Sequence, residues 1–150
     1  MVIFDADKRN VVNVVGESAS QGTLEKVAGG RTIDGALWRD HTAVLLPEPT
    51  NRYDRHAVRV AVVPWGSSRG SGLVGYLSRE DAVAYRPVID RLAAIGRVAA
   101  CAVSITGGWD RGPDDHGHFG AQLHIDVPEG AMEELESDPE CLRPAWEQKA

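Results

Sequence analysis

The chain has 150 residues and a mass of 16.2 kDa, with 43% hydrophobic and 25% charged residues, the size and balance of one globular domain with a real core. No apolar run approaches the ~18 residues of a membrane span, and no basic segment followed by an apolar one opens the chain, so the expectation is a cytoplasmic protein with no membrane partner. The net charge of −6 is concentrated in residues 126–150, which hold eight acids and two bases, while residues 1–125 balance at fourteen of each; a neutral body can carry a basic face but lacks the surplus of a strong non-specific DNA binder.

Residues 1–10 read as a leader. Val11-Val12-Asn13-Val14-Val15, closed by Gly16, is a first strand. Residues 23–27 predict one or two helical turns ended by Gly29-Gly30. A strand pair follows at 32–38 and 42–46, the latter stopped by Pro47 and Pro49. A polar turn, Asn51-Arg52-Tyr53-Asp54, leads into Val58-Arg59-Val60-Ala61-Val62-Val63, where Val58, Val60 and Val62 face the core and Arg59 points the other way. After a Gly/Ser loop over 65–72 comes a short strand at 73–77. Ser78-Arg79-Glu80-Asp81 has the Ser-x-x-acid form that announces a helix. Ala82, Val83, Val88, Leu92 and Ile95 fit one face of it, with a break expected at Pro87 and an end at Gly96.

Two further strands are predicted at 98–106 and 119–127, joined by a loop rich in Gly, Asp and His. In the second, Phe119, Ala121, Leu123, Ile125 and Val127 alternate with Gln122, His124 and Asp126. The domain therefore spans 11–127, and the acidic residues 128–150 are expected as a flexible tail outside the core. About six short strands with one helical insertion predict a mainly β fold with some α, a small barrel with a helix packed on it.

Within four residues the turn offers an amide (Asn51), a cation (Arg52), an aromatic ring (Tyr53) and a carboxylate (Asp54). These are the groups needed to stack on a base, accept from a sugar hydroxyl and meet a phosphate. The same residues also suit an Asx turn that merely starts a strand. Arg52, Arg55 and Arg59 form either a basic stripe or a solvated strand edge. Trp38, Trp65 and Trp109 could stand in for stacking rings, but core or hairpin packing is their default. Asp114, Asp115, His116, His118 and His124 include metal-ligand types, but the loop spacing favours solvated side chains, and no metal or other cofactor is expected. Glu17 and Asp54 are carboxylates that folding could pair. Cys101 and Cys141 have no metal-ligand spacing and read as reduced thiols. The chain carries no phosphate-loop, Gly-x-Ser-x-Gly or His-Glu-x-x-His motif, so no enzymatic activity is expected.

Three stretches taken in order, Val14-Val15-Gly16-Glu17, residues 47–60 with their Asn51-Arg52-Tyr53-Asp54 turn and Ala57-Val58-Arg59-Val60, and Gly72-Leu73-Val74-Gly75-Tyr76-Leu77-Ser78-Arg79-Glu80, resemble the HIRAN domain. The resemblance covers roughly residues 11–127. It implies an OB-like β-barrel of the kind attached to SNF2-type remodellers and DNA-repair proteins, whose best-understood members read single-stranded DNA 3′ ends. Carried onto this chain, Tyr53 packs on the terminal nucleotide, Asp54 accepts from the 3′ hydroxyl with Asn51 beside it, Tyr76 lines the base pocket, and Arg79 meets a phosphate, with Arg52 as an added cation. Where end-binding members place a basic residue and two aromatics, this chain has Ser18, Ala19 and Ser20, and Arg52 replaces a usual proline. Each missing stack removes about 1–3 kcal/mol of binding.

The expected function is a non-catalytic module that recognises a single-stranded DNA or nucleotide end in repair or replication. The alternative is a protein-interaction or regulatory module of the same fold, with a protein partner engaged through the acidic tail.

Overall fold

The computed structural model describes residues 2–4, 10–35, 40–63, 72–140 and 142–144. Trp38, Trp65, most of the Gly/Ser loop and Cys141 lie outside the described residues. Seven strands are found among the described residues: β1 (Val2–Ile3), β2 (Val11–Val15), β3 (Asp40–Pro47), β4 (Val58–Val63), β5 (Gly72–Leu77), β6 (Ala99–Gly107) and β7 (Phe119–His124). The helices are α1 (Gln21–Ala28), preceded by a 3₁₀ turn at Glu17–Ser20, α2 (Arg79–Ala93) and α3 (Pro128–Ser137). None is long and apolar enough to cross a membrane.

Antiparallel neighbours run β6, β3, β4, β5, β2, β7, and β7 pairs back onto β6, closing a six-strand, small OB-like barrel. Alternation along the strands turns one set of side chains inward. Val12 lies opposite Leu123, Val14 opposite Leu77, Leu45 opposite Val60 and Ala43 opposite Cys101, and all eight are buried. Closure is thinnest at β2, which pairs with β7 through residues 11–13 and then with β5 through only Val14 and Val15. Glycine makes that second contact possible. Gly75 sits at a bulge opposite Val60 with φ +155°, and a Cβ there would collide with the Val15 carbonyl and the Val14 side chain.

Helix α2 begins as its sequence announces: Ser78 Oγ accepts from the Asp81 N–H at 3.1 Å and donates to the Asp81 carboxylate at 3.0 Å. Ala82, Tyr85, Val88, Ile89 and Leu92 bury its inner face against the barrel. The break expected at Pro87 does not occur. Pro87 is exposed, as is Val83, the residue whose carbonyl it leaves without a helical partner, so water can take over that acceptor. The Tyr85 hydroxyl donates to the Asp126 carbonyl at 2.7 Å, tying α2 to the segment after β7.

Both ends of the chain differ from their compositional reading. Within the leader, β1 pairs in parallel with β6 beyond the point where β7 has ended, and Phe4 is buried. Beyond Pro128, where acidic composition suggested a tail outside the core, α3 buries Ala131 and Leu135 completely. Arg97 Nε then holds the Arg143 carbonyl at 2.6 Å. One apolar stripe with i, i+4 spacing is enough to dock a helix whose other faces are charged. The strand expected at 32–38 contributes, among its described residues, only a bridge from Thr32 to Trp109.

Replacing Gly75 with Ala forces the β2–β5 seam apart and is expected to cost about 3 kcal/mol, read as a fall in thermal midpoint without loss of the far-ultraviolet spectrum of the refolded chain. Burial pushes the Cys101 thiol and the Tyr85 phenol both up to about 12, from 9.0 and 10.0. The folded state thus holds these protons more tightly than the unfolded chain. Their contribution is complete below pH 9.0 and 10.0 respectively and is lost as pH rises toward about 12. Alkaline denaturant titrations should show stability falling across that window, with Cys101 unreactive to thiol reagents until unfolding.

Candidate nucleic-acid interface

The turn between β3 and β4 is fixed by its own polar groups. Its base is closed by the Glu48 N–H donating to the Ala57 carbonyl at 2.9 Å. Asn51 Oδ1 accepts from the backbone N–H groups of Tyr53 and Asp54 at 2.9 and 3.0 Å. Asp54 Oδ1 accepts from the His56 N–H at 2.9 Å. These nested Asx turns hold the loop without any non-glycine residue at positive φ. Asn51 is therefore committed to shaping the turn. Arg52 and Tyr53 point outward, and Tyr53 is 88% exposed. Asp54 is half-buried, and no arginine pairs with its carboxylate among the described residues.

The strand register brings Tyr76 to the same end of the barrel. Tyr76 on β5 is opposite Arg59 on β4 and Val15 on β2, and its ring edge lies above Gly16, 3.9 Å from where a Cβ would be. The Glu48 carboxylate accepts from the Tyr76 hydroxyl and stands 3.3 Å from Arg59 Nε. Partial burial, this hydrogen bond and the Glu48 charge together raise the Tyr76 phenol above its ordinary range, and Arg59 opposes them. The hydroxyl of Tyr76 is thus engaged, while its ring remains half-exposed. Composition and alternation pointed to neither Glu48 nor the Glu48–Tyr76 contact, because cross-strand register is not written in any local stretch.

Arg79 opens α2 directly after β5, exposed and without a partner among the described residues. Seven residues on, Arg86 lies on the same helical stripe, about 10 Å further along. Arg86 Nη1 donates to the Arg55 carbonyl at 3.0 Å and its Nε pairs with Asp90 at 3.0 Å, so α2 braces the turn from the side. The turn, Tyr76 and the start of α2 consequently share one end of the barrel. The 3₁₀ turn that holds Ser18, Ala19 and Ser20 leaves β2 at Gly16, beneath Tyr76.

Other candidates have different employment. Glu17 lies against β7, where its carboxylate accepts from the Ala121 N–H and burial pushes its carboxyl up, so it does not pair with Asp54. Trp109 is hairpin packing: its ring lies against Gly117, its indole N–H donates to Asp115 at 2.8 Å, and Arg111 covers it at 5.8 Å. His116 pairs with Asp110 at 3.6 Å, and His118 is exposed. His124, placed outward by alternation, is buried with Ser104 Oγ 2.6 Å from its Nε2. Among the described residues no group of three or more His, Cys, Asp and Glu side chains could hold a metal ion.

Exchanging Glu48 for Gln removes the anion that disfavours the phenolate. The Tyr76 ionisation, followed by ultraviolet difference absorbance, should move to lower pH, whereas Arg59→Gln should move it higher.

Compared with protein-family models, with curated proteins and with solved structures, the chain matches none of them.

Proposed function

We propose that this chain is a non-catalytic nucleic-acid-binding module of the HIRAN type, which holds the 3′ end of a single DNA strand and serves DNA repair or replication. The observation that carries this reading is Tyr53: an aromatic ring 88% exposed on a turn whose backbone is fixed from within. Such a ring adds nothing to the core, but it presents a preorganised stacking surface, which lowers the entropy lost on binding. The half-exposed Tyr76 ring at the same end offers a second apolar surface.

Asp54 supplies direction. A carboxylate only accepts, and a terminal hydroxyl is a donor, whereas a 3′ phosphate or an internal phosphodiester brings negative charge to the same place. Arg52 and Arg79, both exposed and unpaired among the described residues, take the phosphates, and Arg79 is helped by the free N–H groups of the first turn of α2. Two cations on a single strand give a shallow salt dependence, a slope of about −1.4 in log K against log salt. The affinity of such a site comes from stacking and end recognition more than from charge.

Fluorescence anisotropy tests the reading. An oligonucleotide with a free 3′ hydroxyl should bind better than its 3′-phosphorylated twin, Asp54→Ala should erase the difference, and Tyr53→Ala should weaken binding about tenfold or more. Equal binding of the two oligonucleotides, or none at millimolar protein, refutes it. Restoring rings at the departed positions, Ala19→Phe with Ser20→Tyr, should tighten binding by about tenfold or more.

A further inference from the structure

Helices α2 and α3 leave an open groove of about 360 Å³ between them. Its floor is apolar, formed by Ala84, Pro87 and Val88 of α2 with Pro128 and Met132 of α3. Its lip on the α3 side is acidic: Glu129, Glu133 and Glu136, all exposed. At 100° per residue this wall follows from the sequence of α3. Ala131 and Leu135 point into the core, Met132 lies beside them, and the three glutamates come next around the helix. On α2 the groove wall and the Arg79–Arg86 stripe fall on opposite flanks of the buried face.

Glu136 already pairs with Arg91 at 2.9 Å. Glu129 and Glu133 have no partner among the described residues, and as like charges four apart on one helix they repel each other until a cation arrives. The apolar surface continues past the groove at Val83, 56% exposed one turn before Pro87, and at Val127, 44% exposed beside Pro128.

We infer that this groove is a docking site for a basic amphipathic helix of a partner protein. Its apolar residues fill the floor, and Lys or Arg residues at i and i+4 meet Glu129 and Glu133, about 6 Å apart along α3. Charge complementarity selects this occupant. The same carboxylates repel nucleic acid and anionic lipid surfaces, and an uncharged apolar segment gains nothing from the acidic lip. The inference does not depend on the nucleic-acid reading, since the two surfaces share only α2.

The test uses the full chain and a fluorescein-labelled amphipathic Leu/Lys peptide about 18 residues long, enough to be helical. Controls are a scrambled peptide of the same composition and a Leu/Glu counterpart. The Leu/Lys peptide is expected to bind in the micromolar range, with backbone amide NMR shifts centred on α2 and α3. Combining Glu129→Lys with Glu133→Lys should weaken it by about tenfold or more. Pro87→Ala removes a floor contact but also removes a helix-interior proline, so the thermal midpoint should rise while affinity falls, which separates docking from unfolding. Asp54→Ala and Tyr53→Ala should leave peptide binding unchanged. The inference is overturned if the scrambled or Leu/Glu peptide binds equally well, if the charge reversals have no effect, if the shifts map elsewhere, or if nothing binds at millimolar concentration. A concentration-dependent dimer broken by Pro87→Ala would also overturn it, by assigning the groove to a second copy of the chain.

Discussion

The barrel depends on one close approach, that of the β2 backbone onto Gly75. β2 leaves β7 after Asn13 and reaches β5 through two residues only, so the circle closes where a single Cβ would keep it open. That contact also positions the candidate site. It brings Gly16 under Tyr76, and the register from Tyr76 to Arg59 then aligns the end of β5 with the start of β4 and the turn before it. The geometry available to a ligand is in this sense a by-product of barrel closure. It explains why the residues of the proposed interface come from two separate stretches of chain, 51–54 and 76–79, yet share one rim.

Much of the fold was legible because the strands obey a simple period. The alternating valines of β4 and the Phe119, Ala121, Leu123, Ile125 series each present one face inward, and the Ser78–Asp81 cap marks the start of α2 to the residue. What escaped had no such signature. A two-residue strand such as β1 has no period to detect. The anchoring stripe of α3 consists of two residues, Ala131 and Leu135, inside an acidic run that dominates any average over composition. Pro87 misleads because its cost stays local: the Val83 carbonyl it frees lies on the solvent side, and the buried residues before and after it, Ala82, Tyr85, Val88, Ile89 and Leu92, keep α2 docked across it.

The candidate site was legible in its residues but not in their arrangement. The turn residues are contiguous, so their chemistry can be read together, and Tyr76 and Arg79 entered through a resemblance spanning several stretches. The Glu48–Arg59–Tyr76 row joins strands whose pairing only the fold reveals, and it alters the reading of Tyr76, whose hydroxyl is engaged and whose ring is what remains to offer. Asn51 likewise moves from prospective ligand contact to the residue that holds the turn in shape.

Where β2 departs from β7, the outer edge of residues 119–121 would be left without a neighbouring strand. Gln21 fills the gap: its carboxamide accepts from the Phe119 N–H at 2.7 Å and donates to the Phe119 carbonyl at 2.9 Å, while the Glu17 carboxylate takes the Ala121 N–H. Two side chains therefore imitate one missing strand. No ragged hydrogen-bonding margin is left on this stretch of β7 for a strand of another molecule to pair with.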